Sequence, residues 1–193
     1  MNVNQQISDW INESILVKRE LSQDAELIAQ IEKLADICYD SLKKGGKIIF
    51  AGNGGSFADA QHLSAEFTSR FLFDRAPLPS LALATNNSAI SAIGNDYGYE
   101  FVFARELASI ATTEDVFIPI STSGNSTNII EALHVASDKN IPTVALAGGT
   151  GGKIKDLCEC LLMPSSDTAR IQECHIMVGH IICGLVEARY FGE

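Results

Sequence analysis

The period of the apolar positions changes near residue 46, and that change organises the chain. Before it, Ile7, Trp10, Ile11 and Ile15 recur at intervals of three and four, which predicts an amphipathic helix from Val3 to about Leu21. A second helix is expected to begin at Ser22, an N-cap candidate followed by Asp24 and Glu26 in the first turn. Leu27, Ile31, Leu34, Ile37, Cys38 and Leu42 supply its apolar face. Lys43-Lys44-Gly45-Gly46 ends it, with cations in the last turn and then glycine.

Beyond that point KIIFAG, LALATN, VFIPIS, TVALAGG and CLLMP are short apolar runs that stop at small or polar residues. Stretches of helical spacing, such as STNIIEALHVASDKN, separate them. Strands apolar on both faces and alternating with helices predict a parallel sheet covered on both sides. The expected fold class is α/β, a doubly wound single domain over 1–193. It comprises an N-terminal helical hairpin (1–45) and a core (46–193) with a five-stranded parallel sheet flanked by helices, including a C-terminal one.

Composition narrows the picture. At 46% hydrophobic, 193 residues suffice for a substantial core. The first residues show no basic leader with an apolar centre, and no run reaches membrane-spanning length, so a cytoplasmic protein with no membrane partner is expected. The five cysteines are odd in number, and Cys38, Cys160, Cys174 and Cys183 sit in apolar runs, which reads as reduced core thiols. Cys158 and Cys160 form a C-x-C expected to point to opposite faces of a strand, which is poor geometry for a shared metal. Net charge is −10, from 24 acids against 14 bases, with no Lys/Arg stripe to displace the counterions of a nucleic acid. An anionic metabolite would therefore need local neutral donors, backbone N–H groups and hydroxyls.

Ligands of open parallel sheets bind where strands end and helices begin. Three such ends are chemically unusual. AGNGGS (51–56) follows KIIF, and its glycines allow close backbone approach ahead of a helix N-terminus. STSGNS (121–126) follows VFIPI and groups four hydroxyls around one glycine. AGNGGS alone is a weak signal and one loop such as STSGNS alone reads better as an ordinary turn and cap; two at the ends of separate strands of one sheet favour phosphate binding. The third, ATNNSAISAIGNDYGYE, is turn-rich and carries Asn95 and Asp96, either a surface loop or a source of hydroxyl-recognising side chains.

A helix starting near Ser56 places His62 and Glu66, four apart, on one face, with Asp59 a neighbour of His62. In isolation such a pair is usually a solvated polar face; here it follows a phosphate-type turn. In the last helix Gln172 and His180 interrupt an apolar sequence about two turns apart. A lone His there is more often a packed core residue. Together the four make a ligand set for a divalent metal and equally an acid–base set, and spacing does not choose between them.

On GNGGSFADAQHLSAEF, AIGNDYG, STSGNS and ARIQECHIMVGH, the chain resembles the sugar isomerase (SIS) domain family from end to end. The resemblance implies an isomerase of sedoheptulose 7-phosphate, forming D-glycero-D-manno-heptose 7-phosphate through a cis-enediol in activated-heptose synthesis. It implies that Asn53, Gly54 and Gly55 line the substrate and that Ser56, Ser121, Ser123 and Ser126 hold its phosphate. Asn95, Asp96 and Thr122 would lie near the sugar chain, with Glu66 and His180 as the proton-transfer pair. His62, Glu66, Gln172 and His180 would hold one Zn2+ per subunit of a homotetramer with active sites between subunits, Gln172 also facing substrate. Two alternatives remain: a non-catalytic SIS module that binds sugar phosphates or serves replication initiation, and an isomerase or lyase for another phosphosugar.

Overall fold

The five apolar runs form one parallel sheet. In the computed structural model, which describes residues 2–192, they are β1 (Ile48–Gly52), β2 (Ser80–Ala82), β3 (Val116–Ser121), β4 (Val144–Gly148) and β5 (Glu159–Met163). Their spatial order is β2-β1-β3-β4-β5, with every pairing parallel. All residues of β1, β3 and β4 are buried, which is why these runs lack polar alternation.

Successive side chains feed opposite faces. Ile48, Phe50, Ile118, Ile120 and Leu146 pack with α2 (Ala25–Lys43), α3 (Gly55–Thr68) and α7 (Thr168–Phe191). Ile49, Ala51, Phe117, Ala145 and Ala147 pack with α5 (Val102–Ile110) and α6 (Thr127–Asp138). The sheet is thus doubly wound. Its order reverses at β1/β3, so the loops after these two strands open into the crevice where such sheets bind ligands.

Local differences from expectation have identifiable causes. α1 (Val3–Gln23) runs past Ser22, whose hydroxyl bonds back to the Arg19 carbonyl; Asp24 caps α2 instead, its carboxylate accepting from the N–H groups of Glu26 and Leu27. ATNNSAISAIGNDYGYE is not a loop. Asn86 caps a helix, α4 (Asn87–Asp96), by accepting from the N–H groups of Ser88 and Ala89. The cysteines are all free, but Cys158 and Cys160 pack against the same cluster, because residues two apart on an extended chain share a face. The apolar stripe of α1 stays exposed at Ile7, Trp10, Ile11 and Ile15. Among the described residues no helix is long and apolar enough to cross a membrane.

Candidate active site

Only Asn53 and Gly54 separate β1 from α3, and the turn is correspondingly tight. Gly54 has φ +58°, and a Cβ on Gly52 would come within 2.4 Å of the Ser56 carbonyl oxygen. No side chain caps α3, so its first N–H groups stay available. Asn53 exchanges side-chain amide bonds with Asn128 in both directions, each 2.9 Å, across the β1/β3 reversal. The Tyr99 hydroxyl reaches Asn53 Oδ1 at 3.4 Å. Asn53, Asn128 and Tyr99 border an open cavity of about 730 Å³, with Glu100, Ser126 and Thr127 completing its wall.

The serine loop faces the same cavity. Ser121, buried at the end of β3, has its Oγ 3.3 Å from Ser126 Oγ, at the start of α6, which also lacks a side-chain cap. Thr122 is half-buried and Ser123 exposed. Gly124 has φ +64° and lies where a Cβ would meet the Gly151 oxygen at 1.9 Å, so the loop is pressed onto the residues after β4. Asn95 and Asp96 lie elsewhere. They end α4 exposed, bonded to one another, and border a separate cavity with Asn87, Ser88 and Ser91.

α3 and α7 pack side by side and run parallel, Gly55 against Gln172 and Leu63 against Gly179. A Cβ would lie 1.8 Å from Gln172 Nε2 at Gly55 and 2.5 Å from Leu63 Cδ1 at Gly179, so a larger residue at either position makes those side chains shift. This close seam brings His62 and His180 together, their Nε2 atoms 2.8 Å apart. Glu66 Oε1 lies 3.2 Å from His62 Nε2, and one ligand atom from each of the three falls within 4.8 Å of the others. The Phe71 ring stacks on His180, with centroids 5.5 Å apart.

Two facing imidazole nitrogens attract only when one is protonated or when both turn lone pairs to a cation. Two imidazoles and a carboxylate form a donor set suited to catalytic zinc, so the cluster fits that metal. Gln172, over Gly55 and beside Asp59, lies about two turns nearer the phosphate loops. Burial raises the pKa of Asp59 against the pull of Gln172 and His62, and its Oδ2 has no hydrogen-bond partner. One turn along α7, His175 is fully buried with neither ring nitrogen paired, and burial lowers its pKa to about 4.

The SIS domain family matches residues 10–148, which include β1 to β4 and both phosphate-type loops. The chain belongs to the SIS domain family. Two phosphoheptose isomerases extend the likeness over α7. That of Aneurinibacillus thermoaerophilus is 53% identical over 190 residues, 98% of this chain and 96% of its own. Phosphoheptose isomerase 2 of Campylobacter jejuni is 48% identical over 193 residues, 100% of this chain and 96% of its own. A phosphoheptose isomerase structure from Francisella tularensis superposes with a TM-score of 0.91 at 33% identity, covering 97% of this chain and 99% of that one. One from Neisseria gonorrhoeae gives 0.89 at 38%, covering 97% and 100%. Within this SIS site, sequence reasoning missed Asn128 and Tyr99; the signals were a further amide in STSGNSTN and an aromatic in GNDYGY.

Proposed function

We propose that this chain is an aldose–ketose isomerase that interconverts sedoheptulose 7-phosphate and D-glycero-D-manno-heptose 7-phosphate through a cis-enediol, the first step toward nucleotide-activated heptoses. The observation that carries the reading is the convergence of His62, Glu66 and His180 from α3, which starts at a phosphate-type turn, and α7, whose Gln172 packs on that start. A helical rise of 1.5 Å per residue puts His62 roughly 10 Å along α3 from Gly55, a separation that suits a long sugar with its phosphate at one end.

The phosphate is assigned to the hydroxyls of Ser56, Ser121, Ser123 and Ser126 and to the free N–H groups at the starts of α3 and α6. The cavity wall of Asn53, Tyr99, Glu100, Ser126, Thr127 and Asn128 carries no basic side chain, so neutral donors hold the anion. Gly54 and Gly55 leave the backbone bare beside the sugar, Thr122 and Gln172 face its hydroxyls, and the Asn128 pair fixes the Asn53 amide. Asn95 and Asp96, at the exposed end of α4 on a separate cavity, take no part in this site within the protomer.

Isomerisation moves a proton between C1 and C2 while the oxygens exchange theirs. Glu66 takes the carbon proton: its side chain is only 20% exposed, and with Oε1 turned to His62, Oε2 is free for the substrate. His180, its ring backed by Phe71, moves protons between the two substrate oxygens. His62, Glu66 and His180, with Gln172 as fourth ligand, would hold Zn2+, which supplies Lewis-acid stabilisation of developing oxyanion charge. The enzyme works in the cytoplasm as a homotetramer with sites between subunits, the exposed stripe of α1 supporting assembly.

Incubation with sedoheptulose 7-phosphate, followed by NMR, should show aldoheptose phosphate appearing. Glu66→Gln should abolish turnover and still bind the phosphate ester. Turnover by Glu66→Gln removes that residue from the base role; an inert wild type that turns over another phosphosugar replaces the heptose.

A further inference from the structure

Arg75, in the segment joining α3 to β2, forms a buried ion pair with Glu187 of α7, remote from the substrate loops. The side chains of Arg75 and Glu187 are 2% and 0% exposed, and Arg75 Nε donates to Glu187 Oε1 at 2.7 Å. The rest of the guanidinium covers the end of α3. Nη2 donates to the Glu66 carbonyl at 2.8 Å, and Nη1 to the carbonyls of Phe67 at 2.7 Å and Ser69 at 3.1 Å. These are last-turn carbonyls, which lack helical partners and sit at the negative end of the helix dipole.

Glu187 uses both oxygens on the connecting segment. Oε1 accepts from the Phe71 N–H at 2.9 Å and Oε2 from the Leu72 N–H at 2.7 Å. Burial opposes ionisation, yet the bonds from Leu72, Phe71 and Arg75 hold the carboxyl below its ordinary pKa, so it stays charged. The backbone it grips carries the Phe71 ring that stacks on His180.

We propose that Arg75 and Glu187 are positioning residues for the His62–Glu66–His180 cluster. The guanidinium fixes the backbone of Glu66 at the end of α3, and the carboxylate fixes Phe71 and, through its ring, His180. One buried pair thereby sets the separation of groups carried by two helices. The proposal rests on reading that cluster as the metal and proton-transfer centre. Arginine is required because its planar fork reaches several carbonyls and the carboxylate at once, whereas a lysine ammonium, a point charge, keeps the ion pair and loses the fork.

The test uses full-length protein freed of metal and titrated with Co2+, read by visible absorption, with His62→Ala as the control that locates the signal. Arg75→Lys is expected to weaken Co2+ binding at least about tenfold, the range found when the groups orienting metal ligands are lost. It should lower kcat by a similar factor and leave KM for the sugar phosphate nearly unchanged. Phe71→Leu, which leaves the buried pair intact, should weaken Co2+ binding several-fold and covers the case in which Arg75→Lys does not fold. Loss of melting temperature alone in Arg75→Lys, with wild-type Co2+ affinity and kcat per folded molecule, overturns the proposal. So does wild-type Co2+ affinity in Phe71→Leu, or a wild-type Co2+ signal that His62→Ala does not remove. If the wild type binds Co2+ and is inert toward sedoheptulose 7-phosphate, the proposed reaction fails; the Co2+ affinities of the variants still decide the positioning role.

Discussion

Asn53 reaches the cavity with a fixed orientation because Asn128 holds its amide at both ends. Asn128→Leu keeps the volume and leaves the half-buried Asn53 Nδ2 without its acceptor and Oδ1 with only the long Tyr99 contact, a loss of about 1–3 kcal/mol. The expected outcome in steady-state kinetics is a rise in KM for the sugar phosphate of about tenfold with a smaller change in kcat, since the residues assigned to proton transfer are untouched. His175 makes a different prediction. Its folded pKa of about 4 lies below the ordinary His value near 6.5, so between those pH values only the unfolded chain takes up the proton. Stability is therefore retained above pH 6.5 and lost as pH falls toward 4, by roughly 3 kcal/mol for this group. Denaturant melts at pH 7 and pH 4.5 should show the loss, and a folded His175→Phe should show a smaller one. The grouping of hydroxyls in STSGNS was legible because they follow one another in a single loop. Asn128 and Tyr99 act through a partner on another element, which no local pattern records.

Between elements, the seam of α3 and α7 decides the geometry of the site. Gly179 lets Leu63 lie directly on the α7 backbone, one residue from His180 and His62 respectively. Gly179→Ala forces Leu63 to repack or the helices to part, at a cost of about 1–3 kcal/mol. Thermal melts should register that cost, and kcat should fall more than KM because the His62–His180 separation widens while the phosphate loops stay put. Both helices were expected, one from the glycine turn ahead of Ser56 and one from the apolar C-terminal stretch, and His62 and Glu66 fell on one face by spacing. The parallel pairing of the helices was not legible; two small residues, Gly55 and Gly179, were its only trace. α4 was misread for a related reason. Asn and Ser favour caps and turns, and Asn86 does cap, but the residues behind it continue as helix because Ile90 and Ile93 pack on the sheet-facing cluster.

At the scale of the molecule, the doubly wound sheet was legible from five wholly apolar runs, and its β1/β3 reversal explains why the loops after those strands share a cavity. What a single chain leaves open is the outer side of α1. Only Leu21 of that helix is buried, while Val3, Ile7, Trp10, Ile11, Ile15 and Leu16 are exposed. Beside them lies a groove of about 460 Å³ lined by Leu21, Ile28, Ile31, Met177, Ile181 and Leu185 from three helices. Covering six large apolar side chains contributes about 1.5–3 kcal/mol apiece, which compares with about 4–15 kcal/mol for the lost freedom of association. Self-association through this face is thus energetically reasonable, and α1 is where the proposed assembly should be sensitive. Trp10→Glu with Ile11→Glu should reduce the mass measured by light scattering and retain the helical circular dichroism, since neither residue belongs to the protomer core. Trp10 is the sole tryptophan, so its emission should shift to the red in a dissociating variant that keeps it, such as Ile7→Glu with Ile11→Glu. A monomeric wild type at micromolar concentration would show that the stripe does not drive assembly.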